Sequence, residues 1–545
     1  MPIQFGSHKI LHLGVLLLGC ISGVCPANIV ILHPAYSGSH HIALRNFGDH
    51  LVSRGHNVTQ IKFRMSNANH VANTQVNILD LALQDPEGTC AYVNHQGEME
   101  INKEVGQLLW NRGADLTTLP RDLFCLAGVH CQSLFYDPDV IRLFNETRFD
   151  LAIVDLIANE CGVALAKSVH VPIVTFWGFS FQGGEVALTS NFNNPAIVPT
   201  FFSALGIRMN FLERTYNFVL SMIHYGFEVR QANIAQGFIS ERFPDLPPVG
   251  QMIHDLDMHF VNTDFYVDTP KAMSPNTKYI GGIHLREGHP LPQEYDDFYR
   301  DAHHGVILFS MGYTGFHPEA VPSSVIANFL TAFGRLQQKV IVKYDKDFIP
   351  FTPSNVMVVD WVPQQDILAH PKTVAFVSHC GMFGVSEAIY HRVPIVGVPI
   401  FGDQVDNAKR LEDSGLGVRI LSKDDATADY IYDQCMAVLT NTSIHAKVNH
   451  FADMWRDRPL KPVDEATYWI EFLIKHQDVS FLRIDDYHLS FVQYFCLDVI
   501  GFLLLIAVCM MISTFVILDR LYKCWKAQRP QIPEPTRRKH KKKNF

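Results

Sequence analysis

Charge is scarce in this chain, and repetition is scarcer. Only 18% of the 545 residues are Asp, Glu, Lys or Arg, against 48% hydrophobic. That balance excludes a mainly disordered protein, because there is enough apolar surface to bury a core. The 34 glycines and 29 prolines follow no collagen period, and the one low-complexity tract is a basic tail. No repeat of solenoid length is present. Cysteine is thin too: seven of the 11 fall between Cys25 and Cys435, which makes no dense disulfide framework even where the compartment permits one. Cys125 and Cys131 are the nearest pair, and nothing in their spacing argues that they bond.

What charge there is lies unevenly. Residues 519–545 hold ten Lys/Arg and two Asp/Glu, a local +8, so the rest of a chain of net charge −9 carries −17. An acidic body with a short basic tail argues against nucleic acid as a partner. The length suits two to four domains at roughly 150 residues each, and two large ones would suffice.

Both ends of the chain read as membrane signals. Residues 1–25 open with Lys9, continue with an apolar run, and reach small residues at Ser22 and Gly23. That run has the length of a signal-peptide core and is too short for a span; a buried first element is the alternative. Residues 499–518 contain no charge, and Arg520, Lys523, Lys526 and Arg529 follow at once. Twenty residues at about 1.5 Å each cover about 30 Å, the thickness of the hydrocarbon core. Positive flanks mark the cytosolic side. The expected topology is single-pass type I with a lumenal body. Lys542 and Lys543 stand fourth and third from the end and resemble a dilysine retrieval signal of the endoplasmic reticulum, an address read by a receptor; a polybasic contact with anionic lipid is the blander reading. Asn57, Asn145 and Asn441 head Asn-x-Ser/Thr sequons.

Within the body, short apolar runs alternate with helical periodicity. Residues 28–33 read as a buried parallel strand, 41–54 as a helix stopped by Gly55, and 57–63 as the next strand. A second such unit starts at residue 150: strand 151–154, Asp155, a helix, and strand 172–176. Residues 200–240 read as largely helical. The polar stretch 285–301, with two prolines, reads as a linker. Alternation restarts with strand 306–310, helix 322–336, and strands at 340–343, 356–360, 374–378 and 394–398. The expected class is α/β, two doubly wound halves facing a cleft, with ligands at the carboxyl ends of the strands.

The most informative stretch is WVPQQDILAHPKTVAFVSHCGMFGVSEAIYHRVPIVGVPIFGDQVDN, residues 361–407. A buried strand ends in a turn with Gly381 and Gly384, and a helix follows. Free amides and the helix dipole make such a turn a place for phosphate. The whole stretch resembles the signature of the UDP-glycosyltransferases, the family that includes the UDP-glucuronosyltransferases, and LDVIGF at 497–502 resembles the approach to the membrane in its animal members. The resemblance implies the GT-B fold, two Rossmann-like domains plus here one C-terminal transmembrane helix. It implies transfer of glucose or glucuronic acid from a UDP-sugar to a small lipophilic acceptor, with inversion and without a metal or other cofactor. It also divides the chain: signal peptide 1–25, acceptor half 26–284, linker 285–301, donor half 302–455, returning helices and membrane-proximal segment 456–496, span 499–518, and cytosolic tail 519–545. Membrane lipid is the other expected partner, and a homo-oligomer is left open.

Carried over by position, the resemblance implies that Trp361 stacks on uracil and Gln364 binds the uridine. His379 and the amides near Gly381, Phe383 and Gly384 hold the diphosphate, Glu387 accepts from the ribose hydroxyls, and Asp403 and Gln404 bind the sugar. Lys343 stands where vertebrate enzymes have Arg. Phe383 stands where many relatives have Asn, Cys380 replaces a glycine, and Tyr313 a second serine. In the first half, His40 of Gly38-Ser39-His40 matches the general base and Asp155 the carboxylate that orients it. The chemistry suits: attack on an anomeric carbon needs the acceptor proton removed, and a carboxylate stabilises the imidazolium that forms. Asn262 matches a position where the glucuronosyltransferases carry an Arg for the donor carboxylate, which favours UDP-glucose here. Two other classes compete. A metal-dependent single-domain transferase needs a functional Asp-x-Asp, and Asp137-Pro-Asp139, Asp255-Leu-Asp257 and Asp345-Lys-Asp347 are scattered. A non-catalytic UDP-sugar or lipid-binding protein of the same fold is suggested by Phe383 and opposed by the presence of both His40 and Asp155.

Overall fold

The computed structural model describes residues 25–529 except 34–37, 66–73, 86–87, 89, 101–102, 113–118, 182–187, 190, 192, 313–317, 424–425 and 485. The signal-peptide core, Tyr313, Lys542 and Lys543 therefore lie outside the described residues. The chain forms two compact units, Met1–Ile484 and Asp485–Phe545.

The first unit contains two parallel sheets. One has seven strands: β1 (Asn28–His33), β2 (Asn57–Phe63), β3 (Asn77–Leu81), β4 (Leu151–Asp155), β5 (Ile173–Trp177), β6 (Met258–Val261) and β7 (Thr277–Tyr279), in the order β3-β2-β1-β4-β5-β6-β7. The other has six: β8 (Val306–Ser310), β9 (Lys339–Lys343), β10 (Val356–Val359), β11 (Thr373–Ser378), β12 (Ile395–Gly397) and β13 (Gly417–Arg419), in the order β10-β9-β8-β11-β12-β13. In each, the chain steps outward from the first strand and then returns to its other side. The first sheet therefore reverses between β1 and β4, and the second between β8 and β11. Loops diverge at such a switch point and leave a crevice.

The continuous apolar runs follow from this burial. Along β1, Val30 and Leu32 enter one core cluster and Ile29 and Ile31 another, so both faces of the strand are covered. The second cluster also takes Ala466, Ile470 and Leu473 from the helix Pro462–His476. Their spacing of four and three puts them on one helical face, which docks this late helix on the first sheet. The stretch 285–301, read as a linker, contains the helix Gln293–Arg300. Tyr295 and Tyr299, four apart, bury in the core of the second half, and Tyr299 Oη lies 2.7 Å from Thr373 Oγ1. Cys125 and Cys131 do not pair with one another. The bonds are Cys90–Cys125 and Cys131–Cys161.

The 200–240 region contains a 32-residue helix, Phe211–Arg242, started by a capping box between Asn210 and Glu213. Of the sequon residues, Asn57 opens β2, Asn145 lies in the exposed end of the helix Pro138–Glu146, and Asn441 caps the helix Thr442–Arg456. In the second unit, Leu497–Gln528 is a single helix long and apolar enough to cross a membrane. Its 32 residues give a length of about 48 Å, so it continues past the uncharged segment 499–518 into the basic residues.

Candidate active site

One cavity of about 990 Å³ lies between the two sheets of the first unit. Its lining includes His40, Lys343, Trp361, Gln364, His379, Gly381, Phe383, Gly384, Glu387, Asp403 and Gln404. Residues from both halves of the sequence are thus brought to one site. Asp155 stands behind His40, fully buried.

At the first switch point, the helix Gly38–Ser53 begins after β1 and places His40 over the end of β4. His40 Nδ1 is 2.8 Å from Asp155 Oδ2. Burial by itself would raise the Asp155 carboxyl. The charge of His40 and hydrogen bonds from His33 and His40 outweigh it and hold the group below the usual carboxylate range. An ionised carboxylate can only accept, so Nδ1 of His40 carries a proton whether or not the ring is charged, and the neutral ring offers its lone pair at Nε2. Gly178 makes room for that ring: a Cβ there would stand 2.0 Å from His40 Nε2.

Sequence reasoning missed His33. Its Nδ1 is 3.2 Å from the same Asp155 oxygen. Leu32 is in register with Val154, so the next residues along, His33 and Asp155, end adjacent strands side by side. A histidine closing the first strand was the available signal. Burial lowers the pKa of His33 against the opposing pull of Asp155.

At the second switch point, β11 runs into the turn His379–Gly381. The helix Met382–Tyr390 follows without a side-chain cap. Its first amides are left for an anion. A Cβ on Gly312 or on Gly381 would come within 2.6 Å of His379 Nε2, so both glycines are needed to admit that ring. Burial, helped by the charge of Lys343, lowers His379 to about 4, and burial lowers Lys343 to about 8. Lys343 Nζ donates to Gly312 O at 2.9 Å and stands 4.5 Å from the centre of the Trp361 ring. Tyr295 Oη donates to the Trp361 carbonyl at 3.0 Å, so the helix inside the expected linker supports the aromatic platform. Gln364 Nε2 donates to Glu387 Oε2 at 2.6 Å, and burial raises Glu387 to about 7.

The start of the helix Gln404–Ser414 completes this end. Asp403 Oδ2 accepts from Asn407 Nδ2 at 2.6 Å, and the same nitrogen donates to Cys380 O at 2.9 Å. Gln404 Oε1 is occupied by the amides of Ile400 and Phe401, which leaves its nitrogen for a ligand. Phe383 turns its ring toward the first half, 5.6 Å from His40 and 4.6 Å from His284. It forms an apolar plate between the base and the glycine turn.

Asn262 does not read the sugar in this geometry. It is 1% exposed, and its Oδ1 accepts from Gly282 N at 3.1 Å and Ile283 N at 3.4 Å. It ties β6 to the turn after β7 and does not line the cavity, so the argument for UDP-glucose from this position falls. The three Asp-x-Asp pairs are also elsewhere. Asp137 and Asp345 accept amides at the starts of helices, Asp257 accepts from Ile173 N, and none of the six carboxylates lines the cavity.

A family model described as UDP-glucoronosyl and UDP-glucosyl transferase matches residues 29–529. UDP-glucosyltransferase 2 of Dactylopius coccus is 30% identical over 88% of this chain and 90% of its own length. Human UDP-glucuronosyltransferase 1A4 is 33% identical over 71% of each. Among solved structures, a UDP-glucosyltransferase from Polygonum tinctorium superposes with a TM-score of 0.57 at 15% identity, over 83% of this chain and 99% of that one. The calicheamicin glycosyltransferase CalG4 gives 0.54 at 17% identity, over 83% and 100%. These neighbours share the GT-B arrangement of two Rossmann-like halves. Fold, cleft and sequence agree, and the chain belongs to the UDP-glucuronosyl and UDP-glucosyl transferase family.

Proposed function

We propose that His40 is the general base of a transfer that inverts the anomeric centre, with Asp155 as its counter-charge. As a member of its family the chain is a glycosyltransferase that moves a hexosyl group from a UDP-sugar to an acceptor. The observation that carries the mechanism is the 2.8 Å contact of His40 Nδ1 with a buried carboxylate at one end of a cavity whose other end holds a glycine turn and an aromatic platform. The acceptor hydroxyl gives its proton to His40 Nε2 as its oxygen attacks the anomeric carbon. The carbon–oxygen bond to the diphosphate breaks from the opposite face, and UDP leaves with the bonding electrons. Asp155 stabilises the imidazolium. Amides at the Gly381 turn and the His379 ring meet the diphosphate, Trp361 the uracil, Glu387 the ribose, and Asp403 and Gln404 the sugar, which is glucose or glucuronic acid.

The reading of the His40 end as an acceptor pocket is supported by its walls: Tyr92, Phe179, Phe201, Phe202 and Phe227 suit a lipophilic molecule. No metal is assigned a role, so a chelator should leave turnover unchanged. The test is His40→Ala, which should lower turnover by about 10²–10⁴-fold while UDP still binds. Normal turnover would remove the mechanism.

The apolar helix and the basic tail support placement in the endoplasmic reticulum membrane, with the first unit lumenal. Protease added to sealed microsomes should remove only the tail. Replacing Lys542 and Lys543 by Ser should release the protein from the early secretory pathway.

A further inference from the structure

The aromatic wall of the cavity is held in place by the half of the molecule that carries the sugar-binding positions. Phe202 and Ala204 have φ of 64° and 51°. Non-glycine residues avoid this region because Cβ crowds the following carbonyl, and such geometry persists only where the surroundings impose it. Here one buried carboxylate imposes it. Phe202 N donates to Asp406 Oδ2 at 2.8 Å, and Ala204 N donates to Asp406 Oδ1 at 2.8 Å. Asp406 is 2% exposed and belongs to the first turn of the helix Gln404–Ser414, two residues after Gln404. The other end of the segment is tied to the first half, where Thr200 N donates to Asn217 Oδ1 at 2.7 Å. Between the two ties, Phe201 packs edge-to-face on Phe179 at 5.1 Å and Phe202 stacks on His224 at 5.6 Å, and all four line the cavity.

We propose that Asp406 is a positioning residue that determines acceptor specificity: from the donor half, its carboxylate sets the conformation of residues 202–204 and so the aromatic wall against which the acceptor lies. The proposal rests on reading that end of the cavity as the acceptor pocket. The two amides lie two residues apart and need two acceptors. A carboxylate supplies both oxygens, whereas an amide side chain supplies one oxygen and turns an NH₂ toward the other N–H. Asp406 itself does not line the cavity, so its effect must pass through the loop.

The test uses the full-length enzyme with UDP-sugar and a series of phenols of increasing ring size. Asp406→Asn should raise the acceptor KM about tenfold, the loss expected of one hydrogen bond to a charged group. It should also flatten the preference among the phenols while donor KM and UDP affinity stay unchanged. Adding Ala204→Gly, which reaches positive φ without strain, should restore part of the preference. Phe202→Ala tests the pocket reading separately and should alter the same preference. If Phe202→Ala alters it and Asp406→Asn does not, the proposal is overturned and the pocket stands. If neither does, the pocket reading fails and takes the proposal with it. A donor KM that rises as much as the acceptor KM, or loss of UDP binding, would show a general structural role and also overturn it.

Discussion

His33 Nδ1 lies 3.2 Å from Oδ2 of Asp155, the oxygen that also receives His40 at 2.8 Å. One buried carboxylate oxygen therefore serves two imidazoles. His33→Leu keeps the bulk and removes a donor, so stability should fall by about 1–2 kcal/mol. Turnover should fall by less than in His40→Ala. His33→Asn, which can still donate, should recover most of both. Thermal unfolding and kcat measure the two effects; equal behaviour of Leu and Asn would show that the hydrogen bond is immaterial.

Gly178→Ala should disable the enzyme without unfolding it. The new Cβ would stand 2.0 Å from His40 Nε2, so the ring must move. A displacement of about 1 Å at a reacting group can cost about 10²-fold in rate. UDP binding, at the opposite end of the cleft, should persist. Calorimetric titration with UDP beside a turnover assay separates the two.

Asn262→Arg should destabilise the protein and should not switch the donor. The position is 1% exposed and faces the backbone of 282–283. An unpaired charge there costs about 3–5 kcal/mol. Denaturant unfolding and a panel of UDP-glucose, UDP-glucuronate and UDP-galactose check both halves of this expectation.

Acid should destabilise the fold between about pH 6.5 and 4. Burial lowers His130 and His284 to about 4 and His259 to about 3. For His130 it outweighs a hydrogen bond to the Ala158 carbonyl, and for His284 one to the Phe383 carbonyl. In that window the unfolded chain binds these protons and the folded chain does not, so stability falls as pH falls. Glu387, raised to about 7, and Asp264 and Asp406, raised to about 6, act in the opposite sense, because the folded state holds their protons first. Burial lowers His224, His379 and His391 to about 4 as well, so six imidazoles, each worth on the order of 1.4 kcal/mol per pH unit, outweigh the three carboxyls. Melting temperature against pH should fall through this range, and a flat profile would contradict the burial of these rings.

The fold was largely legible because parallel strands buried on both faces leave continuous apolar runs. Residues 28–33, 57–63 and 306–310 are strands with the bounds expected of them. The helix inside the 285–301 stretch was hidden because the composition there is polar. Two tyrosines four apart are a faint helical signal, and only their burial against Thr373 and its neighbours makes the segment part of the donor half. Cysteine pairing was illegible for a related reason. Cys90 and Cys125 are 35 residues apart, and Cys131 and Cys161 are 30 apart, so neither bond joins sequence neighbours and spacing could not name a partner.

By itself, the sequence determined the alternation of strand and helix and the apolar segment near the C-terminus, since each is written in local pattern and composition, and the stretch 361–407 supplied residues that line the cavity. Tertiary structure alone decided which side chains share an atom. Register between β1 and β4 brings His33 to Asp155 beside His40. The packing of one helix against a distant loop gives Asp406 the amides of Phe202 and Ala204. The end of β6 turns Asn262 away from the cavity. The first two of these contacts join segments more than 100 residues apart in sequence, as does that of His40 with Asp155 at a separation of 115. Hydrophobic periodicity records only which face of an element is buried, and not which neighbour it is buried against.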